Sequence, residues 1–403
     1  MTRTAYLHVP FCRSKCRYCD FYSRPCGNED QLEAYTRALL RQIGTAERSA
    51  LSSIYFGGGT PAILGTRRLA ALLEALTARF SVEADAEITL EINPNSLGCA
   101  DLSALRRAGF NRLSIGLQSA LPKGLAVLGR THTADDFLRC TDGARRAGFS
   151  NLSADMIFAV PGLSVKENAL TAVFLADCGP EHISAYELSY EAGTPLTRAL
   201  EAGMISAHGD EAAGEMYTQI CALLRGQGYE HYEISNFAKP GFASRHNLHY
   251  WACGEYYAFG AAAHGYLNGR RFSVVRDTDA YIARTRGEVY DESCDDFPAG
   301  RISDEEAEEE RIFLGLRTAE GILLTPALEA KLESQAAFFT RCEEAGLLAR
   351  NGGRLRLTID DSYEDDALHL DIWLGEDDCP EDAEILYKER RILSLKVTNF
   401  ETV

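Results

Sequence analysis

The chain has 403 residues, enough to bury a large core and to divide into two domains or more. With 46% apolar and 25% charged residues its composition is that of an ordinary globular protein, and no apolar run is long enough to span a bilayer. Residues 360–384 hold twelve Asp or Glu and no Lys or Arg, so most of the net charge of −18 sits in one acidic stretch, and no basic patch offers a nucleic-acid surface.

The N-terminus shows no basic region followed by an apolar stretch, so the cytoplasm is the expected location. Twelve cysteines in a long chain of this kind make a poor case for disulfides. Four fall within residues 12–26, and the other eight are scattered singly, where a cysteine usually acts as a small buried hydrophobe.

Taken in order, short apolar strands are expected over 5–8, 53–56, 88–92, 112–117, 152–158 and 183–188. Amphipathic helices are expected over 31–47, 67–80, 101–108, 134–147, 165–176 and 210–227. Repeated βα units imply a parallel sheet with right-handed crossovers. Six of them predict an α/β fold, a partial (βα)6 TIM-like barrel over residues 1–228. In such folds the chemistry gathers at the C-terminal ends of the strands.

Residues 229–300, rich in aromatic side chains, His and Gly, read as loops and short strands closing the barrel mouth. Residues 301–358 read as a small α-helical, winged-helix-like domain. Its helices are expected over 305–317, 326–332 and 338–345, before a hairpin over 347–357 that turns at Asn351, Gly352 and Gly353. Residues 359–403 have little periodicity and read as a poorly ordered acidic tail.

The first strand runs into Cys12, Cys16 and Cys19, spaced C-x3-C-x2-C. Thiolates select iron–sulfur clusters, Zn²⁺ or Cu(I), and a structural zinc site wants four ligands, often as two separated pairs. Three thiols in one tight loop favour a 4Fe–4S cluster with one iron left open, which the amino and carboxylate groups of a small molecule could chelate. Phe11, Tyr18 and Phe21 around the cysteines would shield such a cluster from water. Other polar groups fall at strand ends too. The run GGGTP at 57–61 follows the second strand, Glu91 ends the third, Gln118 follows the fourth and Asp155 lies within the fifth.

The cysteine spacing, with an aromatic residue before the last cysteine and the GGGTP run after the second strand, resembles the radical S-adenosylmethionine (SAM) superfamily. The resemblance implies a 4Fe–4S cluster whose open iron holds the methionyl end of SAM. Further pieces are HVPFC at 8–12, EINP at 91–94, GFNRLSIGLQ at 109–118, GRTH at 129–132 and DMIF at 155–158. They resemble the branch that contains oxygen-independent coproporphyrinogen III dehydrogenase and the heme chaperone HemW. The match spans roughly residues 2–358 and fails after Thr358, where the acidic tail replaces the family's short terminal helix.

By that resemblance Tyr6, Gly58 and Glu91 contact the SAM on the cluster. Tyr18, Gly59, Thr60, Gln118, Arg130 and Asp155 match positions that contact SAM, including a second SAM, in the dehydrogenase. Each has a physical sense. Glu91 can accept from an ammonium or ribose hydroxyls, Arg130 can hold a carboxylate in a fork, and Asp155 can accept from a ribose or an amine. The bland alternatives are a helix-end charge for Arg130 and a capped strand end for Asp155.

Two features separate the branches. The dehydrogenase carries a further cysteine where this chain has Phe21, and HNLHYW at 246–251 matches an H-N-x-x-Y-W motif of the chaperones. The resemblance therefore implies a heme chaperone with heme b as cargo, and His246 or His249 as candidate iron ligands beside the weaker His264. On a helix the first two would share a face, and on a strand they would oppose. The implied partners are heme-accepting proteins, membrane-associated respiratory enzymes among them, and an electron donor such as flavodoxin or ferredoxin. The alternatives are the dehydrogenase itself and a zinc-binding structural protein.

Overall fold

Near-continuous burial along the central strands sets the architecture, as expected where both faces of a parallel sheet are covered. The computed structural model describes residues 2–284 and 302–358, apart from 335 and 345. The chain runs β1 (Arg3–Val9), the short pair β2 (Phe11–Cys12) and β3 (Arg24–Pro25), α1 (Glu29–Thr45), β4 (Ala50–Gly58), α2 (Gly65–Arg79), β5 (Ser81–Ile92) and α3 (Cys99–Ala108). It continues through β6 (Arg112–Gln118), α4 (Pro122–Leu128), α5 (Ala134–Arg146), β7 (Asn151–Phe158), α6 (Val165–Cys178), β8 (His182–Glu187), α7 (Pro195–Glu201) and α8 (Asp210–Gly226).

The six expected strands lie side by side as β1-β4-β5-β6-β7-β8, every neighbouring pair parallel. The fold is the expected α/β type. Local chemistry starts its helices. Asn28 caps α1 by accepting from the Gln31 amide, while Thr133 with Asp136 and Ser164 with Glu167 form reciprocal capping boxes on α5 and α6. Helices α4 and α7, seven residues each, lie outside the predicted set because two turns carry too little periodicity.

The next stretch contributes β9 (Glu230–Glu233), β10 (Asn236–Ala238), α9 (Arg245–Trp251), β11 (Tyr256–Phe259), β12 (His264–Leu267), β13 (Arg270–Ser273) and α10 (Thr278–Ala283). Its strands widen the sheet at both edges. β10 and β9 add antiparallel beside β8, and β11 adds a seventh parallel strand beside β1, with β12 and β13 beyond it, giving eleven strands in all. Helix α9 lies against β4 and β5 toward their N-terminal ends. There the Glu87 carboxylate accepts from the backbone amides of Arg245 and His246, and Arg245 reaches the carbonyl of Asp85. Residues 285–301 and the expected tail over 359–403 lie outside the described residues.

The C-terminal module comprises α11 (Asp304–Leu316), β14 (Ile322–Leu323), α12 (Pro326–Ser334), α13 (Ala336–Glu344) and the hairpin β15 (Leu348–Asn351)–β16 (Arg354–Leu357). It has its own apolar core, including Ile312, Leu316, Phe339 and Leu355. Backbone bonds tie it to the first half: Ile234 donates to the Arg317 carbonyl at 3.2 Å and Ala319 to that of Tyr232 at 2.9 Å. No helix among the described residues is long and apolar enough to cross a membrane.

Candidate functional site

The cysteine loop is clamped from several sides. Cys26 donates to the Cys12 carbonyl at 2.8 Å, closing the loop on itself. Arg17 donates to the Leu128 carbonyl at the end of α4, and Leu196 at the start of α7 donates to the Arg17 carbonyl. The two short helices therefore hold the middle of the loop.

The glycine run explains how the loop leaves the sheet. A methyl group on Gly59 would stand 2.7 Å from the Phe11 carbonyl and 2.8 Å from that of Val9, both rigid backbone. Only a residue without Cβ lets the Gly59 amide reach Val9 and the Thr60 amide reach Phe11, each at 2.8 Å. Gly58, with φ of +104°, lies against the His8 ring.

Two of the three thiols face side-chain donors. The Thr60 hydroxyl points to Cys12 Sγ at 3.7 Å, and Arg130 donates to Cys16 Sγ at 3.3 Å. Arg130 is itself fixed by the Asn93 side-chain oxygen and the Gly116 carbonyl, each at 2.7 Å. Burial pushes the Cys19 thiol up to about 11 and raises that of Cys12. Among the described residues, no three His, Cys, Asp or Glu side chains stand close enough together to hold a metal ion. The fit to a cluster is one of chemistry. A soft cation deprotonates thiols outright, and hydrogen bonds onto sulfur are a standard means of tuning a cluster. Of the three aromatic residues expected to shield the thiols, Phe21 does not: 43% of its surface is exposed. Phe11 is buried edge-on against Tyr35, on the core side.

The predicted residues of the strand ends come together beside this loop. Tyr6 on β1 and Tyr55 on β4 stack with ring centroids 6.2 Å apart, and Tyr55 donates to Glu91 at 2.7 Å. Burial and the nearby Asp155 raise the Glu91 carboxyl to about 7, against the pull of the Tyr55 bond. Asp155 is raised as well, chiefly by burial, and accepts from Ser114 at 3.2 Å. Gln118 closes β6 in a left-handed conformation, φ 67°, a strained position for a residue with a side chain. Tyr18 is half-buried in the loop, and its phenol is raised mainly by burial against the pull of Arg130. A cavity of about 120 Å³ opens alongside, lined in part by Arg13, Thr60 and Asn93.

Three residues here lie outside the predicted set: His8, Tyr55 and Asn93. Burial drives the His8 imidazole down to about 4, so it is neutral. Its Nε2 donates to the Tyr22 carbonyl at 2.9 Å, which leaves Nδ1 to accept from Tyr6 at 3.1 Å. The signal is strand alternation: His8 and Asn93 stand two residues from the predicted Tyr6 and Glu91, and Tyr55 stands two residues before the glycine run.

Comparison with known proteins agrees with this geometry. Residues 6–175 match the radical SAM superfamily and residues 302–359 the HemN C-terminal domain. The heme chaperone HemW of Lactococcus lactis is 33% identical over 323 residues, covering 80% of this chain and 83% of that one. This chain belongs to the HemW family of radical SAM proteins. The HemW protein of Mycobacterium tuberculosis is 32% identical over 359 residues, covering 88% and 90%. Among solved structures, Escherichia coli coproporphyrinogen III oxidase (HemN) superposes with a TM-score of 0.73 over 89% of this chain and 86% of that one, at 18% identity, a likeness of fold. Membership of this superfamily implies a 4Fe–4S cluster and SAM.

The HNLHYW stretch lies on α9. His246 is buried, with Nδ1 2.7 Å from Ser53 Oγ and Nε2 3.0 Å from the Tyr250 hydroxyl. His249 is half-buried and meets the Glu255 carbonyl through Nε2 at 2.8 Å. The two histidines stand on one short helix but are held by separate partners.

Proposed function

We propose that this protein is a heme chaperone of the HemW type, which holds a 4Fe–4S cluster and SAM and passes heme b to acceptor proteins. The observation that carries the reading is the thiol loop fixed beside Glu91, Asp155 and Arg130 in a chain that belongs to this family. Cys12, Cys16 and Cys19 supply the three thiolates. Tyr6, Gly58 and Glu91 face the amino and ribose groups of SAM, with Tyr18, Gly59, Thr60, Gln118, Arg130 and Asp155 around them. Arg130 supplies positive charge beside the thiolates, and Glu91 takes up or gives up a proton near neutral pH.

His249 is the imidazole assigned to the heme iron. It is the more accessible of the pair, whereas both nitrogens of His246 are already engaged. No disulfide joins the ten described cysteines, and the cytoplasm is the proposed location. The proposed partners are heme-accepting respiratory proteins and a small electron donor such as flavodoxin or ferredoxin.

The rival reading is oxidation of coproporphyrinogen III, favoured by the fold likeness to HemN and opposed by Phe21 and the motif on α9. Anaerobic purification separates these readings. A brown protein that loses its iron when the three cysteines become Ala, and that gains a Soret band with heme, supports the chaperone. Turnover of coproporphyrinogen III without heme uptake would overturn it, as would stoichiometric zinc in place of iron.

A further inference from the structure

Helix α9 touches both halves of the molecule through different residues. Toward the sheet, the His246 ring lies nearly flat against Tyr55, with centroids 5.0 Å apart and planes at 25°. Its nitrogens are pinned by Ser53 and Tyr250. Tyr55 in turn donates to Glu91. The helix is thus two contacts away from the carboxylate.

At its C-terminal end, Trp251 lies beneath the guanidinium of Arg317, whose carbon is 3.7 Å from the ring centroid. Arg317 belongs to the C-terminal module. It donates through Nε at 3.1 Å and Nη2 at 3.0 Å to Glu233, whose side chain is completely buried. A planar fork held at its edge by a carboxylate and on its face by an indole has little freedom. The indole nitrogen of Trp251 is buried without an acceptor, a cost that the stacking must offset.

A seven-residue helix is short and stiff, so movement at one end is carried to the other. We infer that α9 is a positioning element that couples the C-terminal module to the cofactor site, with His246 and Trp251 as its two working ends. The inference rests on the reading of Glu91 as a SAM contact. Filling the site re-aims Tyr55, which shifts His246 and alters how Trp251 holds Arg317. By reciprocity, docking of the module sets the affinity for SAM. A helix that only braces the sheet would transmit neither effect.

The chain has two tryptophans, and Trp373→Phe leaves Trp251 as the only reporter in the full-length protein. The anaerobically reconstituted protein is titrated with SAM, and equilibrium dialysis of radiolabelled SAM measures occupancy independently. The Trp251 emission shifts in step with occupancy. Arg317→Lys, which keeps the charge and loses the fork, weakens SAM binding about three- to tenfold. The double variant Arg317→Met with Glu233→Gln leaves no buried charge unpaired and has the same effect. A ligand-free arm uses Tyr55→Phe, which cuts the bond to Glu91 and shifts the Trp251 emission without SAM. Full occupancy with unmoved emission, together with undiminished SAM affinity in both Arg317 variants, overturns the coupling. If no SAM binds, the cofactor reading fails, and the ligand-free arm decides the coupling: unmoved emission in Tyr55→Phe refutes it.

Discussion

Arg130 donates to the sulfur of Cys16 across 3.3 Å while two oxygens, of Asn93 and Gly116, hold its other nitrogen at 2.7 Å each. The guanidinium cannot swing away from the thiol without giving up both anchors. It is a fixed positive charge and a fixed donor at the edge of the candidate cluster.

Arg130→Met keeps much of the side-chain bulk and removes charge and donor together. The cluster of this variant is expected to have a more negative reduction potential and to retain less iron, since hydrogen bonds onto sulfur and local charge set the potential. A redox titration followed by electron paramagnetic resonance checks this. An unchanged potential would show that Arg130 serves only the fold.

Glu91 gives a dependence on pH. Its carboxyl stands near 7 in the folded chain against an ordinary value of 4.5, because burial penalises the charged form. The stability this contributes is complete below about pH 4.5 and is lost as pH rises through about 7. The ligand-free protein should therefore lose thermal stability between pH 5 and pH 8 more steeply than Glu91→Gln does. Parallel melting curves across that window would refute the shift.

Two glycines with different surroundings should respond differently to alanine. At Gly59 the added methyl meets backbone oxygens of Val9 and Phe11 that cannot yield, and the expected cost is about 3 kcal/mol with loss of the cysteine loop's order. At Gly179, φ is +66° and ψ +38°, and the nearest neighbour is the flexible end of Lys239 at 3.7 Å, so the cost is only the left-handed backbone, about 1 kcal/mol. Urea unfolding of the two variants measures the difference, and equal losses would contradict it.

The histidines of α9 should separate into a structural one and a binding one. His246→Ala leaves Ser53 and Tyr250 without their partner in a buried setting, at a cost of about 2–4 kcal/mol, yet keeps the heme Soret band. His249→Ala keeps near-native stability and loses the band. The reverse pattern in a heme titration would exchange the two assignments.

Much of the barrel was legible because a parallel sheet with covered faces writes itself as apolar strands alternating with amphipathic helices. β1, β4, β5, β6, β7 and β8 all fall where that alternation puts them. β11 was not legible as a seventh parallel strand. Four residues in an aromatic stretch carry no sign of direction, and its pairing with β1 joins residues about 250 positions apart. The burial expected of Phe21 failed for a related reason: hydrophobic character states what a side chain would prefer, not which way its loop turns.

At the site, the thiols and the strand-end carboxylates could be read from spacing, because a cluster loop and a strand end are local features. Tyr55 could have been found as the inward neighbour of Gly57, two residues away. Its bond to Glu91 and its stacking on His246 could not, because these contacts join β4 to β5 and to a helix about 190 residues later.

The sequence by itself determined the superfamily and the run of six parallel βα units, since both are encoded in short-range spacing and periodicity. Only the tertiary structure decided that Arg130 faces Cys16, that Glu91 is buried enough to titrate near neutral pH, and that the two histidines of α9 have different neighbours. Those outcomes depend on close packing between segments far apart in the chain, where a few tenths of an ångström separate a hydrogen bond from a clash and burial sets the charge of a side chain.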